Sequence, residues 1–347
     1  MAFYANAPLP DTNARQVAQT IRPPSTSLLA IDSEDRFTSY TQASAAALNS
    51  PQQINTTPYN FTITKSESLM NGFFTRVGVS EVVFPWSVPN INIKTNIMTI
   101  NWSGTAVGTA TISVLEGFYT PSLLAIAVQA LVRSKDASLA AFTMTYGQTS
   151  DPRFFYNTND ATLNISFAPI AYNSGAFPWP NTTKQLFHLM GFSDVNTINE
   201  EPTGVSGYTF CQFTRYIDIV CTQLTNNQAL KDQMSQTVAR DSLCRLYLGD
   251  GLIPGNVNVA ALAPTATTSG DFTPPGCMPF TISRQFTNPK QIQWLPNQPI
   301  PGFLQFTVYD DAGAPLTETL PTTAPNGTLA DQATFLDWSM TMLVSEN

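Results

Sequence analysis

The residues able to do chemistry in this chain are few and scattered. Its 347 residues include one histidine, His188, and four cysteines, Cys211, Cys221, Cys244 and Cys277, with no CxxC pair among them. Zinc sites draw several Cys or His ligands together at short spacing, and that pattern is missing. A Ser–His–Asp arrangement would have to use His188, yet no GxSxG elbow occurs, so His188 reads as a satisfied histidine on a helix around LFHLMGF. Phosphate cradles of the GxxxxGKS/T or GxGxxG type are also absent. Two carboxylate pairs, Glu200–Glu201 and Asp310–Asp311, invite comparison with glycoside hydrolases. Adjacent residues on a strand point to opposite faces, and both pairs sit in turn-like sequence. Calcium ligation by Asp310 and Asp311 lacks an alternating run of oxygen donors. The chain is therefore expected not to be an enzyme, with no catalytic residue, no metal site and no cofactor.

Composition limits the partners. Charged residues make up 12% of the chain, roughly half the usual quarter. Together with 22 Phe, 11 Tyr and 26 Pro, this suits a protein whose outer surface is covered by neighbours. A plain secreted or cell-surface β-sandwich has the same composition. The net charge of -8, without a basic block, argues against direct nucleic-acid contact. Neither a signal-peptide pattern nor an apolar run of about 18 residues is present. The cysteines are expected to be free buried thiols.

The elements that would carry these residues are mostly strands. Alternation predicts strands over 27–31, 59–64, 73–85, 97–102, 110–115, 142–146, 154–157, 162–167, 215–224, 243–248, 303–309 and 336–344. Short strands separated by turn residues point to an all-β sandwich or barrel. A helix is predicted from Pro121 to about Arg133, capped by Thr120; its nearly all-round apolar character predicts that it is sandwiched. A second is predicted over 182–190, capped by Asn181 and stopped at Gly191. Residues 226–241 read as polar and partly helical, and 251–279 as a long Ala/Thr/Pro/Gly loop.

Two stretches read as contact regions. Residues 1–27 form a proline-broken arm that gains order only on a partner, with Phe3, Tyr4, Arg15 and Arg22 as its contact residues. The run LLAIDSEDRF then places Asp32, Glu34, Asp35 and Arg36 in a charged knot. That knot is either a turn in which Arg36 pairs with Asp32 or an anchor fixing the arm to the body or to a neighbour. The loop around Pro274 and Met278 is a third candidate contact.

In order, LLAIDSEDRF, YNFTIT, VVFPW, ISVLEGFYTPSLLAIAVQALV, LFHLMGF, RYIDIV and IQWLPNQPIPGFLQFTVYDDAGAPL with WSMTMLVSE span most of the chain. This ordered set resembles the penton and minor capsid jelly-roll proteins of double-stranded DNA viruses, in the lineage of virophages, Polinton-like elements and nucleocytoplasmic large DNA viruses. Asp32 to Arg36 matches an IDSxDR-like knot, and Gly117-Phe118-Tyr119-Thr120 a G-Y-T element with Phe118 inserted. The resemblance implies an antiparallel jelly-roll sandwich with one or two inserted helices and an extended N-terminal arm. It divides the chain into an arm (1–27) and a jelly roll (28–347), with an insertion at about 118–192. It implies a virion capsid protein made in the host cytoplasm, five copies at the icosahedral vertex touching the major capsid proteins, and no enzyme activity. Other minor capsid proteins are further possible partners. A minor capsid or cement protein is the near alternative. A lectin-like glycan-binding jelly roll is the second, with Trp102, Trp179 and Trp294 as platforms if they are exposed rather than in the core.

Overall fold

The computed structural model describes residues 26–40, 57–71, 74–147, 151–193, 201–226, 242–248, 280–295, 298–319 and 336–345. The chain opens with β1 (Thr26–Asp32), β2 (Asn60–Thr64) and β3 (Arg76–Trp86). Then come β4 (Ile97–Gly104), β5 (Gly108–Ser113), helix α1 (Pro121–Arg133), β6 (Thr143–Tyr146), β7 (Phe154–Asn157), β8 (Leu163–Ala168), α2 (Leu186–Leu189) and β9 (Thr203–Val205). The remainder is β10 (Tyr216–Val220), α3 (Thr222–Thr225), β11 (Ser242–Tyr247), β12 (Phe280–Gln285), β13 (Ile292–Gln293), β14 (Phe303–Asp310) and β15 (Ser339–Ser345).

Nine of these strands make two antiparallel sheets. One has the order β1-β15-β3-β12, with β13 also pairing β3; the other has the order β11-β10-β14-β2. The chain alternates between sheets on passing from β1 through β2 and β3 to β10, and returns by way of β12, β14 and β15. Two Greek keys interlocked in this way are a jelly roll. The expected all-β jelly-roll class is what is found.

Period-two sequence drives the packing. Phe61 and Ile63 of β2, Leu304, Phe306 and Val308 of β14, and Met340, Met342 and Val344 of β15 all face one buried core. Strand β3 begins with Val77 and Val79 inward, then changes parity at a bulge, where Thr341 pairs with Glu81 but Met342 with Val79. Beyond it Val82, Phe84 and Trp86 point inward. Strict alternation across 73–85 does not survive that extra residue. Fixed by the two-sheet core, the strand at 215–224 stops at Val220, where α3 begins. Strands β9, β12 and β13 have no counterpart among the strands that alternation predicts. β12 alternates only weakly as FTISRQ and owes its place to pairing with β3.

A second hydrophobic core draws on residues from Ile91 to Cys211, a span that includes 118–192. It is built from the sheets β5-β4-β8 and β6-β7-β9 with α1 laid against them. Gly104 closes the β4–β5 turn at φ +113, and a Cβ there would sit 1.8 Å from the Thr162 carbonyl oxygen. Glycine alone fits that position.

Helix α1 starts as predicted: Thr120 accepts a hydrogen bond from the Leu123 N–H at 3.2 Å, and Pro121 takes the first turn. Leu124, Ala125, Val128 and Val132 are buried, but Leu123 is 44% and Ile126 60% exposed. The helix is therefore not sandwiched among the described residues; one face stays open. The second predicted helix shrinks to α2, capped by Gln185 rather than Asn181, because 170–183 is held by loop hydrogen bonds such as Asn173 N–H to the Trp179 carbonyl at 3.1 Å. His188 is half-buried there, with Phe187 edge-on to its ring, and Nδ1 accepts from the Gln185 N–H at 3.3 Å.

Candidate functional site

The charged knot forms a clasp between the first and last strands of the jelly roll. Asp32 Oδ1 accepts the Glu34 N–H at 2.8 Å, an Asx-type turn that occupies the carboxylate locally. Ser33, wholly buried, donates its N–H to the Trp338 carbonyl at 2.9 Å and receives the Trp338 N–H on Oγ at 2.9 Å. Its Oγ donates to Asp337 Oδ1 at 2.6 Å. Arg36 is 2% exposed; Nη1 donates to the Ser33 carbonyl at 2.6 Å and pairs with Asp337.

Arg36 is thus paired with Asp337 rather than with Asp32, because the turn takes Asp32 and carries Arg36 inward. The partners Asp337 and Ser33 went unread in the sequence. The available signal was an acid directly before an aromatic strand in a charge-poor chain. Of the other expected contact residues, Phe3, Tyr4, Arg15, Arg22, Pro274 and Met278 lie outside the described residues. Asp32, Glu34, Asp35 and Arg36 are brought together at the clasp.

Trp338 continues the clasp into the core. It is 1% exposed, donates Nε1–H to the Pro58 carbonyl at 2.5 Å, and meets Phe61, Phe84 and Phe306 at ring distances of 5.6, 6.0 and 6.0 Å. Phe84 belongs to one sheet, Phe61 and Phe306 to the other. One indole therefore joins both sheets where the ends of the fold meet.

A second polar arrangement lies where the chain crosses between the two cores. Residues 86–95 and 212–215 make the crossings, and with Thr182–Lys184, Asp310–Ala312 and Thr319 they line a cavity of about 250 Å³. Lys94, buried, donates to Glu318 at 2.7 Å and lies 4.8 Å from the centre of the Trp179 ring. Arg215 Nε pairs with Asp311 at 3.0 Å. Burial raises the Asp310 carboxyl above the usual carboxylate range, against the opposing pull of the Ala314 N–H and of Lys94. Asp310 and Asp311 thus hold a turn and a seam. Neither carboxylate is paired with the other across a cleft.

Two of the three tryptophans weighed as glycan platforms are core residues. Trp102 is 6% and Trp294 4% exposed, since each sits on the inward phase of its strand or turn. Trp179 is half-buried under Lys94. Cys211 is buried, Cys221 and Cys244 are free and buried, and burial pushes the Cys221 thiol up to about 11. Among the described residues no cluster of three or more His, Cys, Asp or Glu is placed to hold a metal ion. No described helix is long and apolar enough to cross a membrane.

Strand order defines the class of protein: a jelly-roll β-sandwich carrying a second core between its third and fourth sandwich strands. No family model matches the sequence, and no curated protein matches it. Among solved structures the chain is similar to the mavirus penton protein, with 10% sequence identity and a TM-score of 0.46 over 94% of this chain and 100% of that one.

Proposed function

We propose that this chain is a structural subunit of an icosahedral viral capsid, the penton, assembling as a homopentamer at the fivefold vertex and contacting the major capsid proteins. The observation that carries the reading is the clasp. Two motifs quoted at opposite ends of the sequence, the Asp32–Arg36 knot and the closing WSMTMLV strand, meet in one buried arrangement that shuts a jelly roll. A sandwich closed in this way is a rigid block. Its function lies in its faces rather than in a cleft, and a surface poor in charge costs little to desolvate against neighbours.

In this reading the arm ahead of Thr26, where β1 begins, becomes ordered on an adjacent subunit, and the second core is an insertion that stands off the jelly roll. The protein acts in the virion and is made in the host cytoplasm. It performs no reaction and needs no cofactor.

The test combines mass and location. Light scattering across a concentration series should give five times 37.8 kDa. Labelling in intact particles should place the chain at the vertices. Label along capsid faces would instead favour a minor capsid or cement role, and absence from purified particles would sink the capsid reading.

A further inference from the structure

Helix α1 carries an apolar face that no described element covers. Leu123, Ile126 and Ala130 are exposed along one side at helical spacing. The helix contains no acidic residue, and Arg133 and Lys135 stand exposed at its C-terminal end. A helix facing water normally puts charged residues on that side.

The clasp has the opposite character. Leu336 is 55% exposed next to Asp337, and in the same turn Glu34 is exposed and Asp35 half-buried. Asp32 pairs with Ser339, and Ser339 with Val83. The clasp therefore lies at the end of the sheet where β3 leaves for the second core. Apolar-with-basic and apolar-with-acidic patches thus occur on one chain. A ring of identical subunits requires two unlike patches that fit each other, since each interface is heterologous.

We infer that the open face of α1 seats on the clasp of a second copy of this chain, with Leu123 and Ile126 against Leu336, and Arg133 and Lys135 opposite Glu34 and Asp35. The inference rests on the reading that the chain assembles with itself. It names the surfaces that would do so. Apolar contact supplies the affinity, and the charges set register and suppress wrong pairings.

The experiment measures the mass of the full-length chain by light scattering across a concentration series, with thermal melts to check folding. Ile126→Asp, at a position already exposed, should raise the dissociation constant by about tenfold or more. Lys135→Glu and Glu34→Lys should each weaken assembly by about threefold, and the double variant should recover most of that loss. Assembly by the wild type with every variant unchanged would overturn the contact while leaving self-assembly intact. A loss of thermal stability in Ile126→Asp without a change of mass would show that the chain's own residues cover the helix, and would also overturn it. A wild type that stays monomeric throughout would overturn it too. The capsid reading itself would then stand or fall separately, on presence in particles.

Discussion

Burying a guanidinium costs several kcal/mol unless a carboxylate and further acceptors meet it. Arg36 is met by Asp337 and by the Ser33 carbonyl. Removing the carboxylate leaves the cation stranded, so Asp337→Ala should lower unfolding free energy by about 3 kcal/mol. Urea melts will measure it, and Asp32→Ala, which loses only a turn contact, should cost less than about 1 kcal/mol. Asp310 makes the opposite case. Burial raises its folded-state pKa above the unfolded value, so its contribution to stability is present at low pH and is lost as pH rises through the raised pKa. Asp310→Asn should therefore melt higher than wild type at pH 7, with the gap closing as the pH falls to the usual carboxylate range. A gap that widens on acidification would contradict the assignment.

Elements in this chain are set by local signals only where those signals are unopposed. Thr120–Pro121 is such a place: a side-chain cap and a residue with φ already fixed start α1 where the sequence says it starts. Thr120→Ala should cost about 1 kcal/mol in a chemical melt. Strand β3 shows the limit. Its sequence alternates, but the bulge against β15 inserts one residue and reverses the facing of everything after it. Strand β12 shows the converse. Its own pattern is weak, and its partner β3 supplies the order.

At the scale of the molecule, the indole of Trp338 lies between the two sheets of the sandwich. Trp338→Ala removes three ring contacts and a hydrogen bond at once and should cost about 4 kcal/mol, enough to threaten folding at 37 °C. Thermal melts will show it. The mass of the assembled protein addresses the larger question, because a vertex subunit is defined by how many copies meet.

Most strand positions, the start of α1 and the all-β class were legible without coordinates. Each depends on residues close in the chain: period-two alternation, a cap beside its helix, a turn made by Asp and Gly. The expected Arg36–Asp32 pair failed for the same reason in reverse. It was the nearest partner in sequence, and the tertiary fold offered a better one 301 residues away. The burial of Trp102 and Trp294, the crossing-point cavity and the open face of α1 likewise depend on what packs against what. A side chain's type and spacing settle the local backbone. Whether it meets water, a carboxylate or another ring is decided only when distant strands are brought side by side.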